Sequence, residues 1–179
     1  CSSDLLSHFM GTNPLVQFVL QPILIFGVIF HFLMGFYLEI LNSNSRAKNY
    51  KSYSGNSNSS WISRNMIFSG GVILVFLVIH FIDFWIPEMN YKYVEFLPED
   101  PNRYYDELVH KFESPFKTII YSFSFVFLAL HLLHGFSSSF KTIGVDSKYY
   151  GLIQKVTFLF SILIPAGFIF IAVFHNLSS

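Results

Sequence analysis

The sequence has few charged residues and a single cysteine, and each shortage excludes a large class of protein. Of its 179 residues, 12% are charged and 53% are hydrophobic. Soluble domains carry about 25% charged residues, so this composition predicts an integral membrane protein. Acidic and basic residues balance at eleven each, so no basic excess points to a nucleic acid partner. The sole cysteine, Cys1, excludes an intrachain disulfide and a cysteine-ligated iron–sulfur cluster.

The sequence also lacks an initiator methionine and the basic flank and cleavage site of a signal peptide. We therefore expect the chain to begin partway into a longer protein; the alternative is a lipidated Cys1. Because no linker interrupts the sequence, we expect residues 1–179 to form one membrane domain.

Four apolar runs are each long enough to cross a bilayer. They cover approximately residues 15–41, 66–86, 116–140 and 152–175. A membrane helix needs about 20 apolar residues to cross a hydrocarbon core of roughly 30 Å. The sequence therefore predicts an all-α membrane bundle of four transmembrane helices, the last of them kinked at Pro165.

The loops between these runs differ in charge, which predicts their orientation. Residues 42–64 and 141–155 hold seven of the eleven Lys and Arg residues. Basic loops stay in the cytoplasm, so loops 42–65 and 141–151 are expected there. Residues 87–115 form a hydrophilic loop with seven acids and three bases, which is expected outside together with both termini.

Two of the runs share the pattern His-x-x-x-Gly-Phe. It begins at His31 in the first run and at His131 in the third, with Gly35 and Gly135 four residues later. Residues four apart share a helix face, and a glycine lets a flat ligand lie against the backbone. Ionisable residues within a span mark functional sites. The two motifs therefore predict the axial ligands of a haem b.

The depths of the histidines support this pairing. By helix rise, His31 and His131 lie roughly 15 and 14 Å from the inner ends of their spans. His80 lies roughly 23 Å from the inner end of the second span, in its outer half. We therefore expect His31 and His131 to bind one haem, while His80 lies at another level.

A histidine within a span also has a simpler interpretation. It can donate a hydrogen bond to a neighbouring helix without binding any cofactor, and for His80 alone this alternative stays open. His134 lies one turn nearer the cytoplasm than His131, and we expect it beside a haem propionate rather than on the iron.

The order of these motifs resembles one known family. The matching segments are His31-x-x-x-Gly35, Asn44-Ser45-Arg46-Ala47-Lys48-Asn49-Tyr50, Ser63-Arg64-Asn65-Met66, Ile79-His80-Phe81, His131-x-x-x-Gly135-Phe136 and Ile143-Gly144. They resemble the cytochrome b membrane anchor of succinate:quinone oxidoreductase (succinate dehydrogenase or fumarate reductase, respiratory complex II), in its single-polypeptide, two-haem, Bacteroidetes-type form. The resemblance covers essentially the whole chain and implies location in a bacterial inner membrane, with residues 87–115 in the periplasm.

The family has five helices, and the first four each donate one haem histidine. The resemblance implies that His31 and His131 hold the inner haem, nearer the iron–sulfur subunit. It implies that His80 holds the outer haem with a histidine on a helix that precedes residue 1. The implied partners are the iron–sulfur subunit, the FAD flavoprotein subunit, membrane lipid and a quinone such as menaquinone.

The resemblance implies electron transfer between the iron–sulfur subunit and a membrane quinone, as one subunit of an enzyme whose flavin chemistry lies elsewhere. Bis-histidine ligation closes both axial positions and suits electron transfer. Asp83, three residues after His80, is a candidate for an outer quinone site; the alternative is an interfacial carboxylate. Ser63 and Arg64 are candidates for contact with a haem propionate, and Arg64 is alternatively a positive-inside residue.

A rival hypothesis is a haem-free membrane protein, either a transporter or a scaffold. Its histidines would form interhelical hydrogen bonds or a proton relay. The number of haems bound after purification separates the two hypotheses.

Overall fold

The computed structural model describes residues 9, 11–45, 66–98, 100, 103–144 and 147–178. These residues are almost all helical and include no strand, so the predicted all-α class is confirmed. Four helices are long and apolar enough to cross a membrane, namely Val16–Asn44, Met66–Tyr93, Pro115–Phe140 and Tyr149–Ser178. The chain is therefore a multi-pass membrane protein.

The described residues form the following helices. A π-helical segment, Val16–Leu20, leads into α1, which covers Gln21–Ser45. The next elements are α2 (Met66–His80), a second π-helical segment (Phe81–Trp85) and α3 (Ile86–Tyr93). They are followed by α4 (Arg103–Phe112), α5 (Pro115–Ile143) and α6 (Ser147–Ser178). The helix α6 continues through Pro165.

The second span is longer than the sequence predicts because α2 runs through the π segment into α3. The N–H of Ile86 donates to the carbonyl of Phe81, five residues back, as in a π-helix. Pro87, which has no N–H, then lies in the first turn of α3, where proline is tolerated. The helix consequently ends at Tyr93, and the hydrophilic loop expected at 87–115 contains most of α3 and all of α4.

The described residues belong to two compact units. One lies within residues 1–58 and 98–108, and the other within residues 59–97 and 109–179. The first unit contains α1, whose apolar side chains are largely exposed, as expected of a helix that faces lipid or a partner. The second unit contains α2, α3, α5 and α6, and the features described below lie in it.

In the second unit α5 packs antiparallel against both α2 and α6. Aromatic rings form much of this packing: the centroids of Phe76 and Phe125 are 5.3 Å apart, and those of Phe125 and Phe168 are 5.2 Å apart. On α6, Ser161 and Pro165 are fully buried. Small residues let membrane helices approach closely, and dispersion contacts then hold them together in lipid.

Two ends of this unit need names. The Met66 end is where α2 and α6 begin and α5 finishes; the Tyr93 end is where α3 and α6 finish and α5 begins. At the Tyr93 end the amide of Asn176 donates to the carbonyl oxygen of Phe112 at 2.9 Å, which ties α6 to the turn before α5. A polar contact of this kind fixes how far one helix slides along another.

Candidate functional site: two histidine levels along one helical bundle

The first level lies where α2 crosses α5, at Ser69 and His131. The Oγ of Ser69 lies 3.2 Å from Nδ1 of His131. The same hydroxyl donates its only hydrogen to the carbonyl oxygen of Met66, at 2.9 Å. With the Ser69 hydrogen on the Met66 carbonyl oxygen, His131 donates from Nδ1, and Nε2 is then the unprotonated nitrogen of the neutral ring. This is the tautomer that coordinates a metal through Nε2.

Two glycines lie at this crossing. A Cβ added to Gly70 would lie 3.7 Å from Cε1 of His131, and one added to Gly135 would lie 3.7 Å from Cε of Met66. Both are ordinary van der Waals distances, so a methyl group would fit at either position and the contact between the helices does not require glycine. The expected role of Gly135 beside a haem stays a prediction.

The second level lies at the Tyr93 end and contains a buried carboxylate. Asp83, in the π segment after α2, is 6% exposed. Its Oδ1 accepts a hydrogen bond from Nζ of Lys117 at 2.5 Å and lies 3.7 Å from Nζ of Lys111. Its Oδ2 accepts from the hydroxyl of Tyr121 at 3.1 Å. Two ammonium groups thus surround one carboxylate, and the cluster links α2, α4 and α5.

His80 lies one turn before this carboxylate and is enclosed by aromatic rings. The centroid of its ring is 5.2 Å from that of Phe84, 5.8 Å from that of Phe76 and 6.4 Å from that of Tyr121. Within the part of the chain that the structure describes, its buried Nδ1 has no hydrogen-bond partner. A buried polar atom normally has one, so Nδ1 would need a water or another hydrogen-bonding group, whatever Nε2 binds.

The two levels are far apart along the bundle. His80 contacts Tyr121, and His131 lies ten residues further along α5. This spacing corresponds to roughly 15 Å at the α-helical rise. Metal–imidazole bonds are about 2 Å long, so His80 and His131 cannot share one iron. The bundle therefore holds two separate histidine positions.

An apolar groove of about 700 Å³ runs along α2 and α5 between the two levels. Gly71 lines it, and a Cβ there would meet nothing within 4 Å. The other lining residues are mostly apolar, from Ile67 to Ile79 on α2 and from Ile120 to Ser124 on α5. Neither His80 nor His131 is among the described residues that line it, so the groove presents no axial ligand to a bound group.

The remaining predicted site residues are placed as follows. His31 and Gly35 are exposed on α1 in the first unit, and a Cβ at Gly35 would meet open space. The pairing of His31 with His131 stays a prediction. His134 is half-buried, one turn along α5 from His131. Ser63 and Arg64 lie outside the described residues, so their expected contact with a propionate stays a prediction.

Ser69, Lys111, Lys117 and Tyr121 contribute to the two levels but were not singled out from the sequence. A weak signal exists for two of them, because Lys117 and Tyr121 are four residues apart and share a helix face. Ser69 directly precedes the Gly70-Gly71 pair, which marks a close approach between helices. Their partners are 28 to 62 residues away along the chain, and no local pattern identifies such contacts.

Comparison of the chain with protein-family models, with characterised proteins and with solved structures found no match. Among the described residues, no group of three or more His, Cys, Asp or Glu side chains could hold a metal ion. A haem iron takes its other ligands from the porphyrin and needs only axial side chains. The two histidine levels are therefore compatible with haem. Whether a second histidine completes the axial pair at each level is a question for experiment.

Proposed function

We propose that this chain is the haem b membrane-anchor subunit of a succinate:quinone oxidoreductase and carries electrons between an iron–sulfur subunit and a membrane quinone. One observation carries the proposal: two histidines lie roughly 15 Å apart along one bundle of apolar helices. A single interhelical hydrogen bond needs one histidine, whereas transfer of electrons through the membrane needs cofactors at successive levels. The motif order of the sequence supplies the identity of the enzyme.

His131 would hold the inner haem together with His31 of α1. When bound, haem b supplies reversible one-electron oxidation and reduction. Ser69 accepts the Nδ1 hydrogen of His131 and so fixes both the tautomer and the orientation of the ring. His134, Ser63 and Arg64 would lie near the propionates, where a cation or hydrogen-bond donor stabilises a carboxylate.

His80 would hold the outer haem together with a histidine from a further helix. The rings of Phe76, Phe84 and Tyr121 lie around the imidazole. An apolar surround of this kind influences the potential of a bound cofactor.

The carboxylate cluster would serve the outer quinone site, because reduction or oxidation of a quinone also moves protons. Lys117 and Tyr121 donate hydrogen bonds to Asp83 and form a polar network beside this proposed site. These groups lie one turn from His80, at the Tyr93 end. Menaquinone or another membrane quinone would bind beside them.

The partners and the orientation follow from the same proposal. Loops 42–65 and 141–151 would face the cytoplasm of a bacterium and be covered by the iron–sulfur subunit, which carries the FAD flavoprotein. Residues 87–115 would face the periplasm. The basic loops and the acidic 87–115 segment support this orientation.

Purification of the full chain through a tag, in a gentle detergent, tests the proposed complex. We expect two larger soluble subunits to co-purify, with stoichiometric flavin and non-haem iron. The reason is that the chain holds a single cysteine and cannot bind such clusters itself. Recovery of a stable, haem-loaded chain without these partners would contradict the complex and leave a cytochrome b of another kind.

Removal of the Ser69 hydroxyl is expected to weaken the inner haem without unfolding the protein. In Ser69→Ala the Nδ1 of His131 loses its acceptor, and such losses lower affinity by about 10- to 100-fold. The measurement is haem loss on dilution, followed by absorbance. Ser124→Ala is the matched control, because Ser124 is equally buried on α5 and donates to the carbonyl oxygen of Ile120 at 2.8 Å. Equal haem retention in both variants would contradict the role of Ser69.

A haem-free transporter is the second candidate, and the buried Asp83 cluster favours it. Carboxylates and lysines paired within a membrane bundle are typical of proton and ion pathways, and π-helical segments are frequent at functional sites. In such a protein His80 would pass protons to Asp83. The candidate predicts proton-coupled uptake into vesicles by a purified chain that contains no haem.

A further inference from the structure

A second groove lies at the Met66 end, between the last turns of α5 and the first turns of α6. Its volume is about 700 Å³, and Leu133 and Phe140 of α5 face it together with Phe158 and Leu159 of α6. The α6 residues Gly151, Gln154 and Lys155, which also line it, are exposed. The groove is therefore open at the surface of two membrane-spanning helices rather than enclosed within the core.

The polar residues of this groove carry a positive charge. Among the described residues, the lining includes Lys155 with the neutral donors Tyr150, Gln154, Ser137 and Thr157, and no carboxylate. In the sequence, residues 141–148 contain Lys141 and Lys148 and a single acid, Asp146. An anion is the ligand that such a set of donors favours.

The position of Lys155 along the helix fits a lipid headgroup. It lies eight residues after the start of α6 at Ser147, or roughly 12 Å along the helix. A lysine at this depth extends its ammonium group to the membrane interface. Basic pockets between transmembrane helices on the cytoplasmic side bind anionic headgroups. Farther from the Met66 end than Lys155, the groove is lined mostly by apolar residues, which suits acyl chains.

We propose that this groove is a binding site for an anionic phospholipid, with its phosphate held by Lys155, Gln154 and Tyr150 and its acyl chains against Leu133 and Leu159. The site is independent of the haem proposal but rests on the proposed orientation, in which the Met66 end is cytoplasmic. Charge complementarity and the opening at the surface of the spans argue for a phospholipid. A quinone has no charge to pair with Lys155 and would be expected in a less basic groove.

Gly151 offers a direct way to fill the groove. A Cβ at this position would meet nothing within 4 Å, so Gly151→Leu extends into the groove without a clash at its Cβ. Gly167→Leu is the matched control, because Gly167 is also an exposed glycine of α6 with open space around it, and it does not line the groove. Lys155→Gln removes the charge while the groove stays open, and Lys155→Arg keeps the charge.

The experiment uses the full chain purified in detergent together with any subunits that co-purify. Its melting temperature is measured while phosphatidylglycerol or phosphatidylcholine is added. A specific ligand of the folded state raises the melting temperature as it saturates. We expect phosphatidylglycerol to raise it and phosphatidylcholine to leave it unchanged. Gly151→Leu and Lys155→Gln should each weaken the apparent affinity for phosphatidylglycerol at least about tenfold, while Gly167→Leu and Lys155→Arg should retain it.

Three results would overturn the proposal. The first is an equal response to both lipids. The second is full retention of the phosphatidylglycerol response in Gly151→Leu and Lys155→Gln. The third is saturation of the groove by a quinone analogue, lost in Gly151→Leu, with no response to phosphatidylglycerol. If Gly151→Leu fails to fold, Lys155→Gln against Lys155→Arg decides the matter.

Discussion

His131→Ala should abolish one low-spin haem b component of the protein, and His31→Ala should abolish the same component. Bis-histidine ligation requires both axial side chains, and alanine offers no ligand to iron. His80→Ala should abolish a different component, because His80 lies roughly 15 Å from His131 along the bundle. Redox titration of the absorbance spectrum in membranes distinguishes the two components. The effect is expected to be complete loss rather than a partial shift.

The matched control is His110→Ala. His110 is exposed on α4, where its Nδ1 lies 3.2 Å from Oε2 of Glu113, and its removal should leave both components intact. A second pair of variants tests whether His131 or His134 is the haem ligand on α5. If His134→Ala abolishes the inner component while His131→Ala preserves it, the ligand is His134 and the contact with Ser69 has only a packing role.

The second large effect is expected for Asp83→Asn, which should lower the free energy of unfolding of the bundle by about 3 kcal/mol. Removal of one partner from a buried ion pair costs about 3–5 kcal/mol, because the other charge is left uncompensated. The lower end applies here, since the side chains of Lys117 and Lys111 are 34% and 28% exposed and reach some solvent. Asparagine keeps the size of the side chain, so the effect reports charge. The free energy of unfolding is measured by denaturant titration in mixed micelles.

The double variant Asp83→Asn/Lys117→Met tests the cause of this loss. With the closest ammonium group removed as well, most of the lost stability should return. Glu113→Gln is the control, because this carboxylate is 51% exposed in its pair with His110, and exposed pairs contribute about 0–1 kcal/mol. If Asp83→Asn is as stable as the parent chain, no ion pair holds the Tyr93 end together.

Hydropathy alone predicts most of the fold. The expected spans at 15–41, 116–140 and 152–175 each agree with a described helix to within a few residues. The main difference is the second span, which reaches Tyr93 rather than residue 86. Proline and charge are normally signs of a helix end, but here a π segment places Pro87 where its missing N–H costs nothing. This backbone adjustment leaves no mark in a hydropathy profile.

The depths of residues on neighbouring helices, relative to one another, are less predictable from sequence. Distances from the span ends place His80 and His131 roughly 9 Å apart in depth, whereas the contact of His80 with Tyr121 gives roughly 15 Å. Hydropathy locates the ends of each apolar run, but packing determines how far neighbouring helices slide past each other. The contacts that fix this sliding, Ser69 with His131 and Asp83 with Lys117, join residues far apart in the chain.

The haem content of the purified full chain is the most direct test of the account. The protein is purified with its native partners, reduced, and its absorbance is recorded before and after carbon monoxide is added. The account predicts a low-spin b-type haem whose spectrum carbon monoxide leaves unchanged, because both axial positions are filled by histidine. A folded chain that contains no haem, or one whose haem binds carbon monoxide, would contradict the bis-histidine assignment, and the haem-free result would favour the transporter.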